Sequence, residues 1–146
     1  MTKAIRIEGE KELIAALKKF GADGEREIDK VVQATGIEIR GDIVKMYQRS
    51  TPTGRVYKKS SPRRTHRASA PGEPPATDTG RLASSVRYKK VAQGSAEVDT
   101  QVEYGAWLEF GTLRIAKRPA WLPASEAARP KFRERLERAL SRLINR

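Results

Sequence analysis

The sequence has no cysteine and a single histidine. A disulfide framework, a thiolate zinc site and a cysteine nucleophile are excluded, and His-rich metal sites and most His-pair chemistry go with them. Apolar residues are scarce as well, since hydrophobic types make up 38% of the chain. No apolar run approaches the roughly 20 residues that span a bilayer. The N-terminal MTKAIRIEGEKEL carries charge throughout and lacks the apolar centre of a signal peptide. A soluble protein, made and used without export, is the expectation. Phosphate cradles are missing too, because Gly72 and Gly80 belong to neither a Walker loop nor a dinucleotide fingerprint.

What the sequence does have is positive charge. Its 146 residues suit one domain, residues 1–146, and 30 Lys and Arg stand against 18 Asp and Glu for a formal net charge of +12. Residues 1–42 and 73–128 are close to neutral. Residues 43–72 carry eight basic residues (Lys45, Arg49, Arg55, Lys58, Lys59, Arg63, Arg64, Arg67) and no acid, and residues 129–146 carry seven against two. Within residues 51–80 only Val56 represents Leu, Ile, Val and Phe.

A block of like charge repels itself and resists packing, and prolines at 52, 62, 71, 74 and 75 disfavour helix and strand alike. Residues 50–79 are therefore expected as an extended, basic, Pro/Gly/Ser-rich loop inserted between N-terminal helices and a hairpin. Its plain reading is a solubilising loop. A domain rarely keeps so long a structureless stretch without a use, so a partner-binding loop that orders on assembly is the preferred reading. Arg55, Lys58, Lys59, Arg63, Arg64 and Arg67 are its candidate assembly or polyanion contacts.

Around this segment the periodicities predict a mixed fold. Ile5 and Ile7 flank Arg6 as in a short strand. Leu13, Ile14, Leu17 and Phe20 recur at helical spacing and are followed by Gly21, a C-terminal cap. Ile28, Val31, Val32, Thr35, Ile39, Ile43, Met46 and Tyr47 form one stripe on a long helix over Asp23–Arg49, in which Gly36 and Gly41 mark close packing or a bend. Asp78 and its neighbours offer caps for a short helix at Arg81–Ser85. Val86–Ala92 and Ala96–Val102 form a hairpin around Gln93-Gly94-Ser95. Tyr104, Trp107 and Leu108 lie on a helical turn stopped by Gly111, with Tyr104 and Trp107 inward, so Trp107→Ala would cost about 3 to 5 kcal/mol. A last helix, with Pro123 in its first turn, runs to about Ile144 with the stripe Phe132, Leu136, Leu140, Leu143 and Ile144, and Pro130 predicts a kink or fresh start within it. The fold class is α+β: a long N-terminal helical segment and a C-terminal helix packed on a small antiparallel sheet, with a long basic loop.

Nothing here assembles a catalytic centre. His66 sits among cations as a solvated histidine, and Asp78, Glu103 and Glu109 are dispersed, with capping the expected job of Asp78 and ion pairing that of the others. No catalytic, cofactor or metal residue is assigned, and no enzyme activity is expected.

Three segments in fixed order are more informative than any single residue. They are Thr79-Gly80-Arg81-Leu82-Ala-Ser-Ser-Val86, then Tyr104-Gly-Ala-Trp107-Leu-Glu109-Phe110-Gly111-Thr112, then Arg118-Pro119-Ala-Trp121-Leu-Pro123-Ala124. The series, with the preceding His66 to Asp78 stretch, closely resembles the neck, or head-tail connector, family of long-tailed double-stranded DNA bacteriophages, whose members are also called minor tail or tail completion proteins. The resemblance covers residues 50–128. Trp121 stands where that family more often has Phe or Leu, and Arg129-Pro130-Lys131 is unusual within the last helix.

The resemblance implies a virion structural protein of the head-tail joint, assembled in the bacterial host cytoplasm and acting without catalysis. Implied partners are further copies in a ring and head-closure and tail proteins, with no membrane involved; the charge of the basic segment itself leaves two further partners open, packaged DNA contacted without sequence specificity and an acidic protein surface. The motif residues Thr79, Gly80, Arg81, Leu82, Tyr104, Trp107, Glu109, Phe110, Gly111, Thr112, Pro119 and Pro123 are expected mainly to determine the fold. Tyr104, Trp107, Leu108 and Phe110 would form an aromatic core, and Arg81, Glu109 and Arg118 are the exposed interface candidates. A free basic nucleic-acid-binding module is the alternative that the net charge permits.

Overall fold

The computed structural model describes residues 5–8, 14 and 21–145. The helix expected between Glu10 and Phe20 lies outside them, apart from Ile14, which is helical. The described elements are β1 (Ile5–Glu8), α1 (Ala22–Arg49), β2 (Val56–Ser60), β3 (Arg63–Arg67), α2 (Arg81–Ser85), β4 (Val86–Ala92), β5 (Ser95–Thr100), α3 (Tyr104–Phe110) and α4 (Trp121–Ile144). This is an α+β fold.

The long helix forms because its apolar residues keep one face from Ile28 to Tyr47, about five turns. Ile28, Val31, Val32, Thr35, Ile39, Ile43 and Tyr47 are buried along it, and the Thr35 hydroxyl is satisfied by donating to the Val31 carbonyl at 2.8 Å. Against that face lies a three-stranded antiparallel sheet in the order β1, β5, β4. In the central strand Ala96, Val98 and Thr100 are buried while Ser95, Glu97 and Asp99 are half-buried, the period of two that a sheet imposes. Register places Val98 opposite Ile5 on one side and Tyr88 on the other. The β4–β5 turn is pinned to α1: the Asp29 carboxylate accepts the Gly94 backbone N–H at 3.0 Å and pairs with Lys90 at 2.6 Å.

The second layer on α1 is α4, and here the expected stripe needs correction. Ala124, Ala128, Leu136 and Ala139 are buried, Phe132, Leu140 and Leu143 pack at the margin, and Ile144 is exposed. Small side chains at the contact let two helices approach closely, so alanine carries the seam that longer residues were expected to carry. Pro130 does not divide the helix, which runs unbroken from Trp121 to Ile144. The proline is exposed and the carbonyl that loses its hydrogen bond belongs to exposed Glu126, where water can satisfy it. Glu38 on α1 clasps α4 by accepting a hydrogen bond from Lys131 and forming an ion pair with Arg135, each at 2.6 Å.

The segment between α1 and α2 also departs from expectation, because it contains strand. β2 and β3 pair antiparallel across a Ser61-Pro62 turn, from Val56 opposite Arg67 to Ser60 opposite Arg63. They make a separate two-stranded ribbon rather than a structureless loop.

Gly41 has open space where a Cβ would stand, so close packing does not explain it. Gly41→Ala should stabilise the protein by about 0.5 to 1 kcal/mol, read as a raised urea midpoint at constant slope. A second expectation comes from the clasps. The Lys131 hydrogen bond to Glu38 holds that carboxyl below its ordinary 4.5. Burial would raise Asp29, but Lys90 and the Gly94 N–H outweigh it and hold the group below 3.8. The unfolded chain therefore binds protons more readily than the folded one at acid pH. Stability from these groups is complete above about pH 5 and disappears as pH falls through their lowered values, so the thermal midpoint should hold down to about pH 5, decline below it, and decline less in Glu38→Gln.

Candidate assembly surface

The three ordered segments converge on the junction between α3 and α4. A helix begins with unpaired backbone N–H groups and a partial positive charge, and α4 receives no side-chain cap from its own N-cap residue, Ala120. The missing acceptor comes from α3. Glu109 is buried, at 9% exposure, with Oε2 accepting the Ala120 and Trp121 N–H groups at 2.8 and 3.1 Å and Oε1 accepting that of Leu122 at 2.8 Å. Glu109 is thus a helix cap in the interior and not an exposed interface residue or a surface ion pair.

The surrounding residues hold the two helices in that relation. Gly111 ends α3 at φ +74°, and a Cβ there would meet the Ile115 carbonyl oxygen at 2.9 Å. The Arg118 N–H donates to the Leu108 carbonyl and that of Thr112 to the Ile115 carbonyl at 2.8 Å. Pro123 stands in the first turn of α4, where its missing N–H costs nothing. Trp121 is buried and its Nε1–H donates to the Tyr47 hydroxyl at 2.8 Å, tying the junction to α1; burial pushes the Tyr47 phenol well above its usual range, so it stays neutral. Gly105 packs on Thr100 and Leu82, which joins α3 to the Thr79–Leu82 segment.

With this arrangement the aromatic turn faces outward in part. Tyr104 and Leu108 are half-buried, but Trp107 is 50% and Phe110 54% exposed, so the compact aromatic core expected from helical spacing does not exist. Leu113, Ile115 and Leu122 on the same stretch are exposed too. Arg81 is exposed, whereas Arg118 is half-buried and its Nη1 donates to Ser69 Oγ at 3.3 Å.

The basic candidates fall into two groups. Lys59 and Arg64 lie opposite each other on the ribbon and both pair with Asp78, Arg64 at 2.7 Å, with His66 Nδ1 a further 3.7 Å neighbour. Asp78 is therefore an anchor for the ribbon rather than a helix cap, its carboxyl held low chiefly by the Lys59 hydrogen bond, and α2 starts from Gly80 without a side-chain cap. His66 is half-buried against it rather than solvated. Arg55, Lys58, Arg63 and Arg67 are exposed, Arg55 lying over the Tyr57 ring at 5.5 Å. At the ribbon's root the Glu73 carboxylate accepts the Thr53 and Ala70 N–H groups at 3.0 and 2.8 Å.

Residues 11–111 match the family described as "Bacteriophage HK97-gp10, putative tail-component". The chain belongs to that family. Membership in this phage tail-component family points to a structural protein of the virion that interacts with other phage structural proteins. The match takes in the ribbon, the Thr79–Leu82 segment and α3, and ends just before the Arg118–Ala124 segment that α3 caps. No curated protein and no solved structure matches the chain. Among the described residues no helix is long and apolar enough to cross a membrane.

Composition could not reveal the function of Glu109, Asp78 or Glu73, because each acts on groups that only the fold brings near. The alternation of Tyr57, Lys59, Arg64 and His66 around Ser61-Pro62 was the available signal for the ribbon. Glu109→Ala should cost about 2 to 4 kcal/mol in urea unfolding because it strands buried N–H groups. Trp107→Ala, at a half-exposed ring, should cost about 1 kcal/mol or less. Equal losses in the two variants would contradict this assignment of cap and surface.

Proposed function

We propose that the protein is a structural component of the head-tail joint, a neck or tail completion protein that works by assembling with further copies into a ring and with head-closure and tail proteins. Family membership supports a virion role, and the residue motifs support the neck in particular. The observation that carries the assembly reading is the outward set Trp107, Phe110, Leu113, Ile115 and Leu122, held on a junction that Glu109 and Gly111 make rigid. Large exposed apolar groups on a rigid frame are the usual anchors of protein interfaces, and aromatic residues dominate their energetics. The protein would act in the virion, having been assembled in the host cytoplasm.

Residues 1–146 would enter the ring as one unit, with the ribbon as a projecting element. Phage lacking the gene should accumulate filled heads and separate tails, or particles that leak DNA, when lysates are examined by electron microscopy. Trp107→Ala combined with Leu122→Ser should give the same particles while the isolated chain remains folded. Normal infectious yield from the deletion would refute the proposal.

A further inference from the structure

The ribbon has two chemically different faces. Side chains alternate along paired strands, so Tyr57, Lys59, Arg64 and His66 share one face while Val56, Lys58, Ser60, Arg63, Thr65 and Arg67 share the other. The first face turns to Asp78, which consumes two of its cations, and Lys59, Arg64 and His66 are half-buried there. Every residue of the second face is exposed. Lys58 and Arg63 have no ion pair among the described residues, and Arg67 makes one long hydrogen bond, to the Gly54 carbonyl at 3.4 Å. No acid occurs anywhere in residues 43–72.

We propose that this outer face, through Lys58, Arg63 and Arg67 with the Thr65 hydroxyl between them, binds the phosphate backbone of duplex DNA without reading its sequence. Arg63 and Arg67 are four residues apart on one strand, about 13 Å, and Lys58 lies between them on the neighbouring strand about 5 Å away. Duplex DNA presents one negative charge for roughly each 1.7 Å of its axis, dense enough to meet all three cations at once. A two-stranded ribbon also has the width that a major groove about 12 Å across admits. The face offers cations and hydroxyls, the groups that most often pair with phosphate oxygens. An acidic protein surface fits less well. Protein interfaces centre on aromatic anchors, and the ribbon's aromatic residue, Tyr57, is on the opposite face.

The DNA face depends on the ribbon's geometry and not on a place at the head-tail joint. Its test is fluorescence anisotropy of the full chain with a random-sequence duplex of about 30 base pairs, across roughly 20 to 200 mM salt, where backbone binding is strongly salt-dependent. Lys58→Ser/Arg63→Ser/Arg67→Ser should lower the slope of log affinity against log salt by about 2 to 3, at about 0.9 for each phosphate no longer neutralised. Its thermal midpoint should match the wild type, since none of the three replaced groups is buried. Lys59→Gln/Arg64→Gln should lower the slope by less than half as much. Three results would overturn the proposal: no duplex binding by the wild type at about 20 mM salt, a slope unchanged in the triple variant, or tighter binding of polyglutamate of matched charge than of DNA. Any of these, found beside the particle defect of the gene deletion, would remove the DNA face and leave the head-tail role intact.

Discussion

The carboxylate of Glu109 at the start of α4 is the constraint on which the rest of the arrangement depends. A helix of 24 residues brings its N-terminal charge and its unpaired N–H groups to one place, and a buried anion there satisfies both. Because the anion belongs to α3, the cap also fixes where α3 lies. Gly111 then has to turn the chain back sharply, and Trp121, at the start of α4, is positioned to reach Tyr47 on the long helix. A single charged group thereby sets the relation of three helices. What remains outside is decided by the same geometry, since a short helix with Glu109 inward must turn Trp107 and Phe110 toward solvent.

Charge is handled by division of labour. Of the basic residues in and after the ribbon, Lys59 and Arg64 neutralise Asp78, and on α4 Lys131 and Arg135 neutralise Glu38. These pairs consume cations in holding elements together. Many of the others stay exposed, so the net charge of +12 understates how unevenly it is displayed. Long-range attraction between such a surface and a polyanion or an acidic partner weakens with salt, whereas contacts to the half-buried carboxylates of Asp78 and Glu38 are screened less.

The sequence makes some of this legible and conceals the rest for definite reasons. The stripe from Ile28 to Tyr47 specifies α1, and the alternating hairpin after Val86 specifies β4 and β5, because each pattern is repeated several times and faces one continuous core. The ribbon is hard to see because strand content is usually recognised by apolar alternation, and here both faces carry cations, one face committing them to Asp78 and the other facing solvent. Trp107 is misplaced by periodicity alone, since helical spacing groups residues on a face without saying what that face meets. Glu109 lies eleven residues before the first N–H it accepts, and no local motif links them. The alanine seam on α4 is obscured for a simpler reason, that the larger residues nearby draw the stripe to themselves.

The root of the ribbon has a consequence for how this surface can change. Gly54 donates its N–H to the Ala68 carbonyl at 2.9 Å, and Ala68 returns a bond to the Arg55 carbonyl at 2.9 Å. A Cβ on Gly54 would fall 2.6 Å from the Ser69 carbonyl oxygen, so the two chain ends cross with no room for a side chain. Residues 55–67 leave and rejoin the body at one point. A closed excursion of this kind can gain or lose residue pairs at its tip for little loop-closure entropy and without moving the core. Its reach and its number of cations are therefore free to diverge between relatives while the helices and sheet stay as they are.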